Sequence, residues 1–289
     1  MKPAASRVLW LGVWVAAASL LAAAAGKEPP RGKLLQRQLD AQTYYLYIPD
    51  NFSPGGTVLV AVHGASRTAK AHARAWIPMA ERENLVVVAP LFDRRTFPDY
   101  QRLNFRGPRA DLKLHALLAE VARLTRAKIA RFYLYGFSGG GQFAHRYALV
   151  HPDRLQRVVV GAPGWWCLPD PALDYPYGIK KNARVPPDVE FRLDALLALP
   201  LAVVIGENDT TRDRYLRQEQ AVDRLQGRHR LERGRHWYEQ MRRLAKEKKI
   251  ANGFELHVVK GVGHQGTHPA IIARAAAFLF PASDTRSHN

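Results

Sequence analysis

Residues 131–150 read RFYLYGFSGGGQFAHRYALV. An apolar run of strand length, Phe132 to Tyr135, leads into Gly136, Phe137, Ser138, Gly139 and Gly140, and helical periodicity follows at once from Gln142 to Val150. A strand that turns sharply into a helix around Gly-x-Ser-x-Gly holds its central serine in a strained backbone conformation, and side chains at the flanking positions would collide. The serine hydroxyl then stands exposed, while N–H groups at the helix start point at any oxyanion that develops beside it. Ser138 is therefore the candidate nucleophile, and the N–H of Gly139 is a candidate oxyanion donor.

A serine hydroxyl is too weak a nucleophile without a base, and the base needs an orienting acid. In this strand-turn-helix context the acid and the histidine are expected at the ends of later strands, in that order. The run Leu201 to Ile205 ends in Gly206, Glu207, Asn208, Asp209, and the run Phe254 to Val259 leads to Gly261, Val262, Gly263, His264. Asp209 and His264 are the candidate partners. Glu207 and Asp213 are rivals for the acid, while His257, inside the strand, and His268, at the start of the next helix, are rivals for the base. Upstream, Val58 to Val62 runs into His63, Gly64, Ala65 and Ser66. The Ala65 N–H is the second candidate oxyanion donor, Ser66 is placed along the site, and His63 is read as packing against the oxyanion loop. His264 and His268 stand four apart, but no third ligand of suitable spacing accompanies them, so no metal site is expected.

The same alternation extends along the chain. Short apolar runs, which also include Leu85 to Ala89 and Val158 to Val160, are separated by helical segments at Ala71 to Glu83, Asp111 to Thr125, Tyr215 to Gln226, Arg235 to Lys249 and His268 to Phe280. That is how an α/β fold with a mostly parallel sheet and helices on both faces reads. An early strand is expected from Leu39 to Ile48. Residues 161–200, rich in proline, are expected to form a small cap insert over the cleft. Trp165 and Trp166 lie just past the strand that ends at Val160, where ligands bind in open sheets. They read either as walls of the substrate pocket or as a hydrophobic clamp for the insert.

These motifs resemble the α/β-hydrolase superfamily: Val62, His63, Gly64; Gly136 to Gly140; Gly206 to Asp209; Gly263, His264. Within it, the His-Gly-Ala loop and the Ser138 elbow are similar to exported polyhydroxybutyrate depolymerase-like, feruloyl esterase-like and dienelactone hydrolase-like proteins. The resemblance implies a sheet of about eight strands and acyl-enzyme chemistry that needs no cofactor. Those depolymerases usually carry alanine after the nucleophile, where this chain has Gly139.

The remaining features bound the function. Of 289 residues, 47% are hydrophobic, which is enough for a packed core. Lys2 and Arg7 precede an uncharged stretch from Val8 to Ala25 that ends in small residues, the pattern of a signal peptide over residues 1–25. An uncleaved membrane anchor is the alternative. Residues 26–38 read as an extension or linker and 39–289 as the α/β-hydrolase domain. The expected location is periplasmic or secreted. Loss of Lys2 and Arg7 leaves 41 basic residues against 25 acidic, a net charge of +16. That charge is scattered and comes without any nucleic-acid-binding motif, so it points to solubility and electrostatic contact with an anionic envelope rather than to nucleic acid. The one cysteine, Cys167, reads as a buried thiol. A small-molecule or oligomeric ester is the expected substrate. A peptidase or amidase on the same scaffold, and a non-catalytic envelope-binding protein, are the competing readings.

Overall fold

The computed structural model describes residues 29–105 and 107–281. The expected signal segment therefore lies outside the described residues. The strands are β1 (Leu34–Leu39), β2 (Gln42–Tyr47), β3 (Val58–Val62), β4 (Val86–Pro90), β5 (Phe132–Phe137), β6 (Leu155–Gly161), β7 (Leu201–Gly206) and β8 (Phe254–Val259). Among the described residues they form an eight-stranded sheet in the order β1-β2-β4-β3-β5-β6-β7-β8. The β1 and β2 pairings are antiparallel, whereas β3 to β8 pair in parallel. This is the mostly parallel α/β sheet that the alternation and the resemblance implied.

The helices are α1 (Ala69–Ala75), α2 (Ile77–Glu83), α3 (Ala110–Thr125), α4 (Gly139–Val150), α5 (Leu193–Leu197), α6 (Gln220–Gln226), α7 (Arg230–Glu247) and α8 (Pro269–Leu279). Trp76, after α1, meets Phe280, after α8, on one face of the sheet. On the other face, α3 touches α4 through His115 and Tyr147, and α4 touches α7 through His145 and Trp237. Sandwiched between these layers, all five residues of β3 are buried. A buried Val or Leu contributes roughly 1.5–3 kcal/mol, so the central strands hold the sheet rigid beneath the loops at their carboxyl ends.

Several expectations require correction. The early strand is a hairpin, β1 and β2 joined through Asp40 and Ala41, with Asp40 at φ 52°. The sheet thus begins at Leu34, inside the stretch 26–38 read as a linker. Every residue of that edge strand is at least partly exposed, and Leu34, Leu35 and Leu39 do not share one face, so no strand periodicity marks it in the sequence. The helix expected from Ala71 to Glu83 is two, broken at Trp76 with proline in the first turn of α2. The helix expected from Tyr215 starts at Gln220, because Asp213 caps a turn by accepting from the N–H groups of Tyr215 and Leu216.

Candidate functional site

Ser138 occupies the junction of β5 and α4 at φ 56°, ψ −114°, a conformation that L residues rarely adopt. Its N–H donates to Gly161 O (2.8 Å), and its carbonyl accepts from Gln142 N–H (3.0 Å). The tight turn explains the flanking glycines. A methyl group at Gly136 would run into the Gly140 carbonyl, and one at Gly140 would run into that of Val62.

Two loops at the same sheet end deliver the partners. His264, after β8, places Nε2 3.0 Å from Ser138 Oγ, and its Nδ1 lies 2.6 Å from Asp209 Oδ2. With the imidazole proton on Nδ1, Ser138 Oγ–H donates to Nε2 and Nδ1–H donates to the carboxylate. Phe137 packs against the imidazole at 4.8 Å between ring centroids. Asp209 is 1% exposed, and a buried carboxylate needs a counter-charge. Arg230, itself fully buried at the start of α7, supplies it: Nη1 lies 3.5 Å from Asp209 Oδ1, and the guanidinium forks onto Asp213 with both contacts at 2.9 Å. Burial raises the Asp213 carboxyl, but hydrogen bonds from Arg230 and the Tyr215 N–H outweigh it and hold the group below its ordinary value.

The rivals are engaged elsewhere. Glu207 accepts from the Gly261 N–H (3.0 Å), His257 pairs with Glu255 (2.8 Å), and His268 caps α8 by accepting from Ala270 N–H (3.2 Å).

At the first turn of α4 the Gly139 N–H has no carbonyl four residues back to bind. Ala65 lies beside it: a methyl added to Gly139 would sit 3.2 Å from Ala65 N and 2.6 Å from Tyr100 Oη. The loop that carries Ala65 is fixed by His63. Phe92 N–H donates to His63 Nε2 (3.0 Å), His63 Nδ1–H donates to Gly64 O (2.8 Å), and Tyr100 Oη–H donates to His63 O (2.8 Å). Burial lowers His63 to about 3, so the ring is neutral and serves as a structural strut.

These groups open onto a cleft of about 670 Å³ whose lining includes Ala65, Ser66, His72, Ser138, Tyr215 and His264. Trp165 and Trp166 are not among the lining residues. Trp166 is fully buried and stacks on Trp237 (4.3 Å, 18°), and Trp165 lies between the guanidinium groups of Arg146 and Arg217 at 4.4 and 4.9 Å. Both rings are thus packed into the fold and lie off this lining, contrary to the expectation that they wall the pocket. The segment expected as a cap, 161–200, contributes no residue to this lining. Asp213, Arg214 and Tyr215 supply the wall instead. Sequence reasoning missed those three in that role, together with Arg230 and His72. None of the five stands in a recognisable motif. Among the described residues no group of three or more His, Cys, Asp or Glu is placed to hold a metal ion.

No protein-family model and no curated protein matches the chain. Among solved structures it is similar to LpqC, a poly(3-hydroxybutyrate) depolymerase from Bordetella parapertussis, at 30% identity over 86% of this chain and 90% of that one, with a TM-score of 0.74. It is similar to poly(aspartic acid) hydrolase-1 from Sphingomonas sp. KT-1, at 27% identity over 86% of this chain and 98% of that one, also with a TM-score of 0.74. An S-formylglutathione hydrolase from Agrobacterium tumefaciens shares the fold at 17% identity, 85% and 94% coverage and a TM-score of 0.52.

Proposed function

The chain belongs to the α/β-hydrolase family that includes the LpqC depolymerase, and from that premise we propose that it is a serine hydrolase cleaving a carboxylic ester through Ser138, His264 and Asp209. The observation that carries the proposal is the continuous hydrogen-bonded chain Ser138–His264–Asp209, at 3.0 and 2.6 Å. In the reaction, Ser138 Oγ attacks the ester carbonyl as His264 Nε2 takes its proton. Asp209 holds the imidazole tautomer and stabilises the imidazolium. The carbonyl oxygen becomes an oxyanion, for which the neighbouring N–H groups of Gly139 and Ala65 are the proposed donors. Collapse breaks the bond to the alkoxide, which receives the proton from His264 and leaves an acyl-Ser138 ester. Water, deprotonated by the same imidazole, then releases the acid and restores Ser138.

Amide cleavage is a second reading, favoured by the likeness to poly(aspartic acid) hydrolase-1. Hydrolysis of a panel of p-nitrophenyl esters and matching anilides separates the two, and the Ser138→Ala variant is the control. Ester turnover lost in the variant supports the proposal. Turnover of anilides alone favours the amidase, and no turnover by the parent favours a non-catalytic, envelope-binding protein. Export to the periplasm or medium belongs to the same proposal and rests on residues 1–25 as sequence. N-terminal sequencing of the protein from periplasmic extract tests it, with a start just after Ala25 as the expected result.

A further inference from the structure

His72 lies on α1, the helix that follows the oxyanion loop, and it lines the cleft although only 5% of its surface is exposed. Its Nδ1 is buried and has no hydrogen-bond partner. Nε2 is thus the ring nitrogen left to reach the cleft. The contrast with His63 is informative, because both nitrogens of that buried ring are bonded. Packing alone does not account for His72. An apolar side chain would fill the space without leaving a polar atom unpaired, and each such atom costs about 1–3 kcal/mol.

We propose that His72 is a substrate-recognition residue whose Nε2–H donates a hydrogen bond to a second oxygen of the substrate, a hydroxyl or carbonyl beyond the scissile ester. Nε2 is the donor for two physical reasons. Burial lowers the imidazole to about 4, so the ring is neutral and carries one proton. A buried N–H without an acceptor is rarer in proteins than an unused lone pair, which leaves the lone pair on Nδ1 and puts the proton on Nε2. Ser66 and Thr68, also on the cleft lining, make the surroundings polar. The substrate that follows carries a hydrogen-bond acceptor beyond the scissile ester and is bound in preference to a plain alkyl ester of the same shape.

The inference rests on the cleft being the substrate site of the proposed esterase, and the test separates the two. The probes are 2-hydroxypropyl 3-hydroxybutanoate and isobutyl isovalerate, in which methyl groups replace both hydroxyls. Hydrolysis by the parent reads the esterase proposal. Recognition is read by binding to the Ser138→Ala protein, followed through the His72 imidazole ¹⁵N resonances. Titration of the hydroxylated ester is expected to move the Nε2 signal, and isobutyl isovalerate is expected to leave it in place. Adding His72→Phe should cut the ratio of affinities, hydroxylated over plain, by about tenfold, as loss of one hydrogen bond implies. His72→Gln, which keeps a side-chain N–H, should retain most of that ratio. An unmoved Nε2 signal with both esters, or a ratio unchanged in a folded His72→Phe protein, overturns the inference. Absence of hydrolysis by the parent, with the His72-dependent binding intact, overturns the esterase proposal alone.

Discussion

Two irregular segments leave the carboxyl ends of neighbouring parallel strands and meet different fates. The segment after β6, residues 162–192, folds away from the cleft, while residues 207–219, after β7, build its wall. Their composition explains the divergence. The first carries Trp165, Trp166, Leu168, Tyr175, Val185 and Val189, all buried, so it gains most by packing against α4 and α7. The second carries Asp209, Asp213, Arg214 and Tyr215, and only Asp209 among these is fully buried. Charge does most to hold it, with Arg230 tying Asp209 to Asp213, and Leu216 is its one buried apolar side chain. Proximity to the site in sequence does not assign a loop to the site. Where its apolar groups find burial does.

The comparison predicts opposite phenotypes for the two segments. The largest effect is expected in the charged one, where Asp209→Ala should lower kcat about 10³- to 10⁴-fold by releasing the imidazole. Glu207→Ala, two residues away, should leave kcat within about twofold, as an exposed change away from the chain of hydrogen bonds does. Equal losses in the two variants would break the assignment of the acid. In the apolar segment, Trp166→Ala should lose about 3–5 kcal/mol of stability in chemical denaturation by emptying the space against Trp237. Its kcat/KM per folded molecule should match the parent, and a specific loss of kcat there would return the tryptophan to the pocket.

Acid sharpens the contrast further. The Asp213 carboxyl is lowered in the folded state, so its pairing contributes stability that is fully present above its ordinary value of about 4 and is lost as pH falls through the lowered one. The melting temperature should therefore decline more steeply below about pH 4 in the parent than in Asp213→Asn. The smallest effect is expected at the rim. Arg214→Ala should raise KM by no more than about threefold with kcat held, because an exposed cation is screened by water and salt. Michaelis profiles at low and high salt check it.

The legible parts of the molecule were those written in short contiguous stretches. The Ser138 elbow reads from local sterics, and Asp209 and His264 read from their places at strand ends, because a strand and its following loop sit together in sequence. The bounds of β3 and β8 matched the apolar runs for the same reason. Pairings between distant segments were not legible. β1 is recognisable only through its partner β2, being partly exposed along its length and without a single apolar face. The fate of Trp166 depends on Trp237, 71 positions away in the numbering, and Arg230 announces nothing until folding brings it to Asp209. His72 is a lone histidine on a helix, and its meaning comes from an orphaned nitrogen that only the packed structure reveals.

The most direct test of the central claim, that Ser138 is the nucleophile, is intact-mass spectrometry after treatment with a fluorophosphonate, alongside Ser138→Ala. One covalent adduct on the parent, mapped to Ser138 by peptide sequencing and missing from the variant, is the predicted result. An unmodified parent, or an adduct that persists in Ser138→Ala, would contradict it.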